Sequence, residues 1–398
     1  MYTVQAPLLA LKDYLLSDSN DRLVLILDTL DLEPLLGRLD RRHGRGRRGH
    51  SLRALLYAVI AGWTYDLHSM AELRRELRRN GSLRILCGIG SVDAVPSEDA
   101  FSRFMTRLAG EVEFLEELYR DTVARLRERA PELGQKVAVD STAVRAWSNG
   151  NRGEPSDTDA AWGKNGRNDK GIAAWCFGYK AHLAVDVDAE IPLAYTVTAA
   201  NVHDGTQLRP LLDAVSAQHP VDDPFHLEVV LADSAYDSRA IYQDIWERRA
   251  LPIIDFNSRG WEPPDGFTAD GCPLCQCGVE MRFLGRDRDY IKYGSGKGCG
   301  CRDGRLIQRF RIDDNPRLHA PLPRHTKKWQ RLYDGRTAAE RVNSRGKEHV
   351  RLRTLRHRGI RKARVHIGLT MLVMVTGALG MMEAGRKEWA RSIVRLIA

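Results

Sequence analysis

The stretch Lys136-VAVDSTAV-Arg145 is where the chain changes period. It is rich in β-forming residues and alternates, so it predicts a strand. Inside it sits Asp140, between apolar Val139 and small Ser141. A carboxylate in an apolar strand is costly to bury unless it is paired or bound to a metal. Taken alone, such an Asp also fits a strand-end residue making local hydrogen bonds.

Upstream, the pattern is helical. Apolar spacing runs through residues 1–36. Arg38 to Arg53 then holds seven arginines, with His43 and His50 among glycines. Ser51 is placed to cap the apolar run LRALLYAVIAGW. MAELRRELRR follows Ser69 and is closed by Gly81, and further helices are expected from Ser97 and over 111–130. Residues 1–130 are therefore expected to be a basic, all-helical unit.

Downstream, residues 148–171 are polar and turn-rich and read as a loop. Phe177 to Asp186 and Ile191 to Ala199 read as two strands of a hairpin. A helix over 205–217, the strand EVVLAD (228–233), a helix over 238–249 and the strand LPIIDF (251–256) complete a mixed α/β sheet. Asp233 ends EVVLAD beside Ser234 and Ala235, a second carboxylate at the end of an apolar strand. His203 and Asp204 follow the hairpin, with Asp204 read as a turn or helix cap.

From 257 to 330 the periodicity dissolves into Gly, Pro, Arg and Cys. So long a structureless loop does not suit a compact domain, and the segment reads as an inserted subdomain. Its Cys272-x2-Cys275-x-Cys277 and Cys299-x-Cys301 have knuckle-like spacing. Cys272, Cys275, Cys299 and Cys301 are the set taken for a structural Zn²⁺, although five cysteines leave the choice of four open. Free thiols in a Gly-rich loop are the alternative. Trp261 and Trp329, in or beside this segment, are read as core packing.

Beyond it lies YDGRTAAERVNSRGK, residues 333–347. Tyr333, Arg336, Glu340 and Lys347 are spaced by 3, 4 and 7 residues. At about 100° per residue they share an arc of roughly 60° on one helix face. A carboxylate flanked by two cations and a phenol would suit a phosphate-binding surface, as would the arginines that follow it. A surface salt-bridge ladder is the plainer reading of the same pattern.

The formal net charge of +9 favours a polyanionic partner. Seven cysteines, an odd number crowded into one segment, do not resemble a secreted disulfide framework. The N-terminal residues show no signal-peptide pattern, and a cytoplasmic, reduced protein is expected. The 18-residue apolar run 365–382 contains His366, Thr370, Thr376 and three glycines, so it reads as a buried helix and not a membrane span.

These residues together resemble the Asp-Asp-Glu transposases of bacterial insertion sequences, in the branch marked by Tyr-x2-Arg-x3-Glu-x6-Lys. Tyr333, Arg336, Glu340 and Lys347 meet that pattern in full. VAVDST around Asp140, GYKAHLAVD (178–186), VTAANVHDG (197–205) and LADSAYDS (231–238) are similar to the family's blocks and come in its order. The resemblance spans roughly residues 50–385. It implies a ribonuclease H-like catalytic domain built from 131–256 and 331–398, with a β-rich insertion over 257–330. It also implies Asp140, Asp233 and Glu340 as ligands to two Mg²⁺ (or Mn²⁺) ions. Tyr333, Arg336 and Lys347 would hold DNA, and Arg341 and Arg345, off their face, are carried as further DNA contacts. The expected partners are the element's terminal inverted repeats, target DNA and a second copy of the chain. A catalytically silent DNA-binding protein and a ribonuclease H-like nuclease that cuts without joining are the competing classes.

Overall fold

A computed structural model describes residues 21–41, 49–151, 153–167, 172–259, 262–268, 271–301 and 305–392. Most of the arginine-rich run at 41–50, and Trp261, lie outside them. The N-terminal part is helical among the described residues: α1 (Asp21–Thr29), α2 (Glu33–Arg41), α3 (Leu52–Thr64), α4 (Met70–Arg79), α5 (Gly81–Leu86), α6 (Glu98–Ala109) and α7 (Val112–Arg129). Hydroxyl caps set several starts. Ser51 Oγ accepts from Ala54 N, Ser69 Oγ from Glu72 N and Ser97 Oγ from Ala100 N. Gly81 does not end the fourth helix as expected. Asn80 turns the chain, and its Oδ1 caps α5 at Leu83 N (2.9 Å).

The sheet begins at β1 (Lys136–Arg145), followed by β2 (Ala161–Arg167), β3 (Ala173–Asp186), β4 (Pro192–Ala199), β5 (Val229–Ala232) and β6 (Leu251–Ile254). The strand order is β2-β3-β1-β5-β6, with β4 also paired to β3. β3 runs antiparallel to β1, β2 and β4, while β1, β5 and β6 are mutually parallel. Helix α8 (Leu208–Ser216) links β4 to β5, and α9 (Arg239–Glu247) links β5 to β6. Strand β2 is a correction, because its residues fall in the segment read as a loop. Its sequence AWGKNGR lacks strand propensity, and pairing with β3 from Ala161↔Gly178 holds it extended. Gly178 has no room for a Cβ there, which would meet Val144 O at 2.2 Å.

The insertion forms a separate three-stranded antiparallel sheet, β7 (Arg282–Asp287), β8 (Tyr290–Gly294) and β9 (Ile307–Arg311). Arg317 fixes it to the main domain through Asp237 Oδ2 (Nη2 2.8 Å), and Arg324 does so through Ile254 O (2.9 Å). The chain then returns through α10 (Lys327–Tyr333), a 3₁₀ turn (Asp334–Arg336), α11 (Thr337–His349) and α12 (Ile360–Glu383).

The last helix is the one long and apolar enough to cross a membrane among those described, yet 94% of its apolar window is buried inside the protein. It packs against α1, α3, α6, α7 and β4, and so it is shared by the helical layer and the sheet. Polar links fix its rotation. Trp63 Nε1 donates to His366 O (3.0 Å), His366 Nε2 to Arg351 O (2.6 Å) and Thr370 Oγ1 to Val350 O (2.8 Å). The Arg351 guanidinium lies 4.0 Å from the Trp63 ring centre. Burial pushes the His366 ring down to about 3, so it is neutral and its Nε2 carries the proton.

Trp63 is fully buried where these layers meet. Trp63→Ala should cost about 3–5 kcal/mol. Because α12 belongs to both layers, denaturant unfolding followed by helix and tertiary signals should give one shared, lowered midpoint. Two separated transitions would show instead that the helical layer folds independently.

Candidate active site

Parallel pairing places the acidic residues. β1 and β5 are paired through Ala138↔Leu231, and β5 and β6 through Ala232↔Ile254. Carrying the first register two residues further brings Asp140 level with Asp233. Carrying the second one further brings Asp233 level with Asp255. Three carboxylates thus stand in a row, Asp140 midway along β1 and the other two just beyond the carboxyl ends of β5 and β6. Asp233 Oδ1 also accepts from Ala235 N (2.9 Å), capping the 3₁₀ turn Ser234–Tyr236, so the capping role is present as well.

Helix α11 packs against β1 and β3 and closes the site. Asn343 Nδ2 donates to Asp140 Oδ2 (3.0 Å), and Glu340 lies one turn earlier on that helix. Arg336 Nη2 holds Glu340 Oε1 at 2.7 Å and lies over the Tyr333 ring at 5.5 Å. Tyr333 in turn stacks on buried Trp329 at 4.6 Å and 14°. The expected single helix from Tyr333 to Lys347 is broken by the 3₁₀ turn. The break lets Gly335 lie close to the sheet, where a Cβ would meet Val187 Cγ1 at 2.8 Å.

The electrostatics follow from burying like charges together. Burial pushes the Asp140 carboxyl up to about 6, a hydrogen bond from the Ser141 backbone opposes this, and Asp233 and Glu340 add to it. Asp233 is raised in the same way, by burial first and then by Asp204 and Asp255. Burial works against the charge of Arg336, but Glu340, Tyr333 and Asp140 outweigh it. Burial lowers Lys347, which faces Asp140 and Cys176.

Two of the expected DNA contacts are paired within the protein. Arg341 Nε binds Glu190 Oε1 (2.7 Å), while Arg345 binds Glu190 Oε2 and its backbone oxygen (2.6 Å each). They lie off the face that carries Glu340 and clamp α11 to the β3–β4 turn. Cations do line a cavity of about 240 Å³ beside Lys347, supplied by Arg145 and Arg353 along with Cys176 and Ser344.

Sequence reading missed Asn343 and Asp255. The three-residue offset from Glu340 marks Asn343, and the equal spacing of the strand ends marks Asp255. It also assigned the cap after β4 to Asp204. The capping side chain is His203, whose Nδ1 accepts from Gly205 N (3.1 Å). Asp204 instead binds Lys180 Nζ (2.7 Å) and lies 3.7 Å from Nδ1 of buried His182, which burial holds down at about 4.

The cysteine set is corrected too. Among the described residues, Cys275, Cys277, Cys299 and Cys301 are the group whose ligand atoms all lie within 4.8 Å of one another. Cys272 is outside it, its thiol donating to Met281 O (3.4 Å). Of the three expected metal-binding carboxylates, Glu340 is paired with Arg336 (2.7 Å). As donors they offer oxygen alone, which suits a hard divalent cation such as Mg²⁺.

A row of carboxylates across adjacent parallel strands, faced by a helix bearing cations, suits a domain that performs phosphoryl transfer on nucleic acid. Residues 131–376 match the family described as "Transposase DDE domain", and residues 12–107 match "Transposase domain (DUF772)". The first match covers more than half the chain, which therefore belongs to the DDE transposase family: it is a DNA transposase, an enzyme of metal-dependent phosphoryl transfer. Among solved structures it is similar to a piggyBac transposase synaptic complex with hairpin DNA, at 11% identity over 96% of this chain and 80% of that one. The TM-score of 0.42 marks a loose likeness.

Two variants test the geometry. Asp140 has a folded value near 6 against 3.8 for the free group, so its contribution to stability is full in acid and lost as pH rises through 6. In chelator, Asp140→Asn should match wild type near pH 4 and exceed it above pH 6 by on the order of 2 kcal/mol. Equal denaturation curves at pH 8 would refute the strained carboxylate. Gly335→Ala should displace α11 from Val187 and lower DNA cleavage at least tenfold while DNA binding, read by gel shift, changes less than threefold. Unchanged cleavage would mean the close approach is not required.

Proposed function

We propose that the chain is an insertion-sequence transposase of the branch with the Tyr-Arg-Glu-Lys signature, and that its catalytic domain is ribonuclease H-like. The order β4-β3-β1-β5-β6, antiparallel and then parallel about a central β1, supports that fold. Asp140, Asp233 and Glu340 are the proposed holders of two Mg²⁺ (or Mn²⁺) ions. The single observation that carries the assignment is the Asn343–Asp140 hydrogen bond, which ties the helix of Glu340 to the strand of the first carboxylate. When bound, the ions would activate the attacking oxygen and stabilise the leaving one at phosphorus.

The protein's own residues supply positioning. Asn343 donates to one Asp140 oxygen and so holds that carboxylate against rotation. Arg336, anchored by Glu340 and the Tyr333 ring, presents a fixed cation to a phosphate beside the scissile bond. Lys347, Arg145 and Arg353 extend that surface along the strand to be cut. The net charge of +9 and the basic N-terminal helices suit recognition of terminal inverted repeats, target DNA and pairing of two copies in a synaptic complex. A bacterial, cytoplasmic setting accords with this reading.

The decisive assay is cleavage and strand transfer with Mg²⁺ or Mn²⁺ on DNA carrying the ends that flank the gene. Asp140→Asn, Asp233→Asn and Glu340→Gln should each retain end binding within about threefold and lose cleavage and joining by at least a hundredfold. A variant that cuts like wild type removes that residue from the triad. A wild type that binds but never cuts would make the protein a silent DNA-binding relative.

A further inference from the structure

We propose that Cys275, Cys277, Cys299 and Cys301 hold one Zn²⁺, and that this ion is the fastening of the inserted sheet. Cys275 and Cys277 lie in the turn before β7, and Cys299 and Cys301 in the segment between β8 and β9. The Sγ–Sγ separations are 3.5 Å for Cys275–Cys299, 3.7 Å for Cys277–Cys299 and 2.9 Å for Cys275–Cys277. A tetrahedral Zn²⁺ with bonds of about 2.3 Å would set its sulfurs roughly 3.8 Å apart. The cluster is thus already close to the required size, and the shortest pair opens slightly on binding.

The backbone around the sulfurs is a second, independent sign. Cys301 N donates to Cys299 Sγ (3.4 Å). That amide donor stabilises a thiolate at Cys299 and orients it as an outer-shell group does beside a metal. The two segments also approach closely through Gly296, where a Cβ would meet Glu280 O at 1.9 Å. Buried Cys272, by contrast, donates its thiol to the carbonyl oxygens of Pro273 and Met281.

The insertion needs such a fastening. Among the described residues, its buried cluster is Cys275, Met281, Ile291, Tyr293, Cys299, Leu306 and Ile312. A core this small does not offset the entropy of ordering three strands and their loops, and small units of this kind use a metal or disulfides. Two of its seven members are metal-binding candidates themselves. The ion would join the turn before β7 to the segment after β8, so the sheet could not open at either edge.

Elemental analysis of the full chain, purified under reducing conditions, should give one zinc per chain. Cys277→Ser and Cys301→Ser should lose it, and Cys272→Ser should keep it. Loading with Co²⁺ should give the strong visible bands and thiolate charge transfer of a tetrahedral sulfur site, a readout on wild-type protein that does not depend on any variant folding. Chelation should expose 262–312 to protease while the rest of the chain stays protected. Wild type with neither zinc nor a cobalt spectrum overturns the proposal, as do iron in place of zinc, disulfide pairing of the four sulfurs, or metal retained in Cys277→Ser but lost in Cys272→Ser. None of these outcomes depends on whether the acidic triad cuts DNA.

Discussion

Negative charge in a row across three adjacent parallel strands is the constraint around which this protein is arranged. Parallel register leaves Asp140, Asp233 and Asp255 level with one another, and partial burial denies them the water that would soften their repulsion. Such a row persists only if something positive or donating faces it. Asn343, Arg336 and Lys347, all delivered by the segment 333–347, fill that need from one side. The position of that segment is therefore a condition for both fold and chemistry.

Its position is secured by residues that look interchangeable in the sequence. Of four cations in the segment, two are committed to Glu190, a buried residue whose backbone sits at φ 55 in the β3–β4 turn. Removing either partner there would strand a charge away from water. Two more cations, Arg336 and Lys347, remain on the side of the acids. Gly335 sets how near the segment can come, since the sheet leaves no space for a methyl group. Anchoring and ligand-facing roles thus alternate along one helix by angular position alone.

That division explains what was legible in the sequence. Elements with a strong period were readable, and so were Asp140, Asp233 and Glu340, because a carboxylate in an apolar strand or between cations is conspicuous by type. Strand β2 was not, because its extended form is imposed by β3 and not by its own residues. Asp255 follows an apolar strand as Asp233 does, but its place in the row depends on which strands are neighbours. Arg341 and Arg345 could be placed off the face of Glu340 by helical arithmetic, yet nothing local reveals that Glu190 waits there. Spacing brought Cys272 and Cys275 together as a knuckle pair. The fold selects Cys277 instead, because the turn closed by Gly278 N and Cys275 O brings that sulfur beside the other three.

Helix α12 carries a consequence for how the protein is made. Trp63 meets His366 across 303 residues of chain, and α1, α3 and α7 all rest on that same late helix. During synthesis the first helices leave the ribosome with their apolar faces uncovered, and their true partner follows hundreds of residues later. Contacts so distant in sequence slow folding and prolong exposure to chaperones and to premature association. A ribosome that stops before residue 360 would release a chain in which neither layer is complete. Only a fully translated molecule would then carry the assembled acidic site, so an unfinished product could not be a stray DNA-cutting fragment.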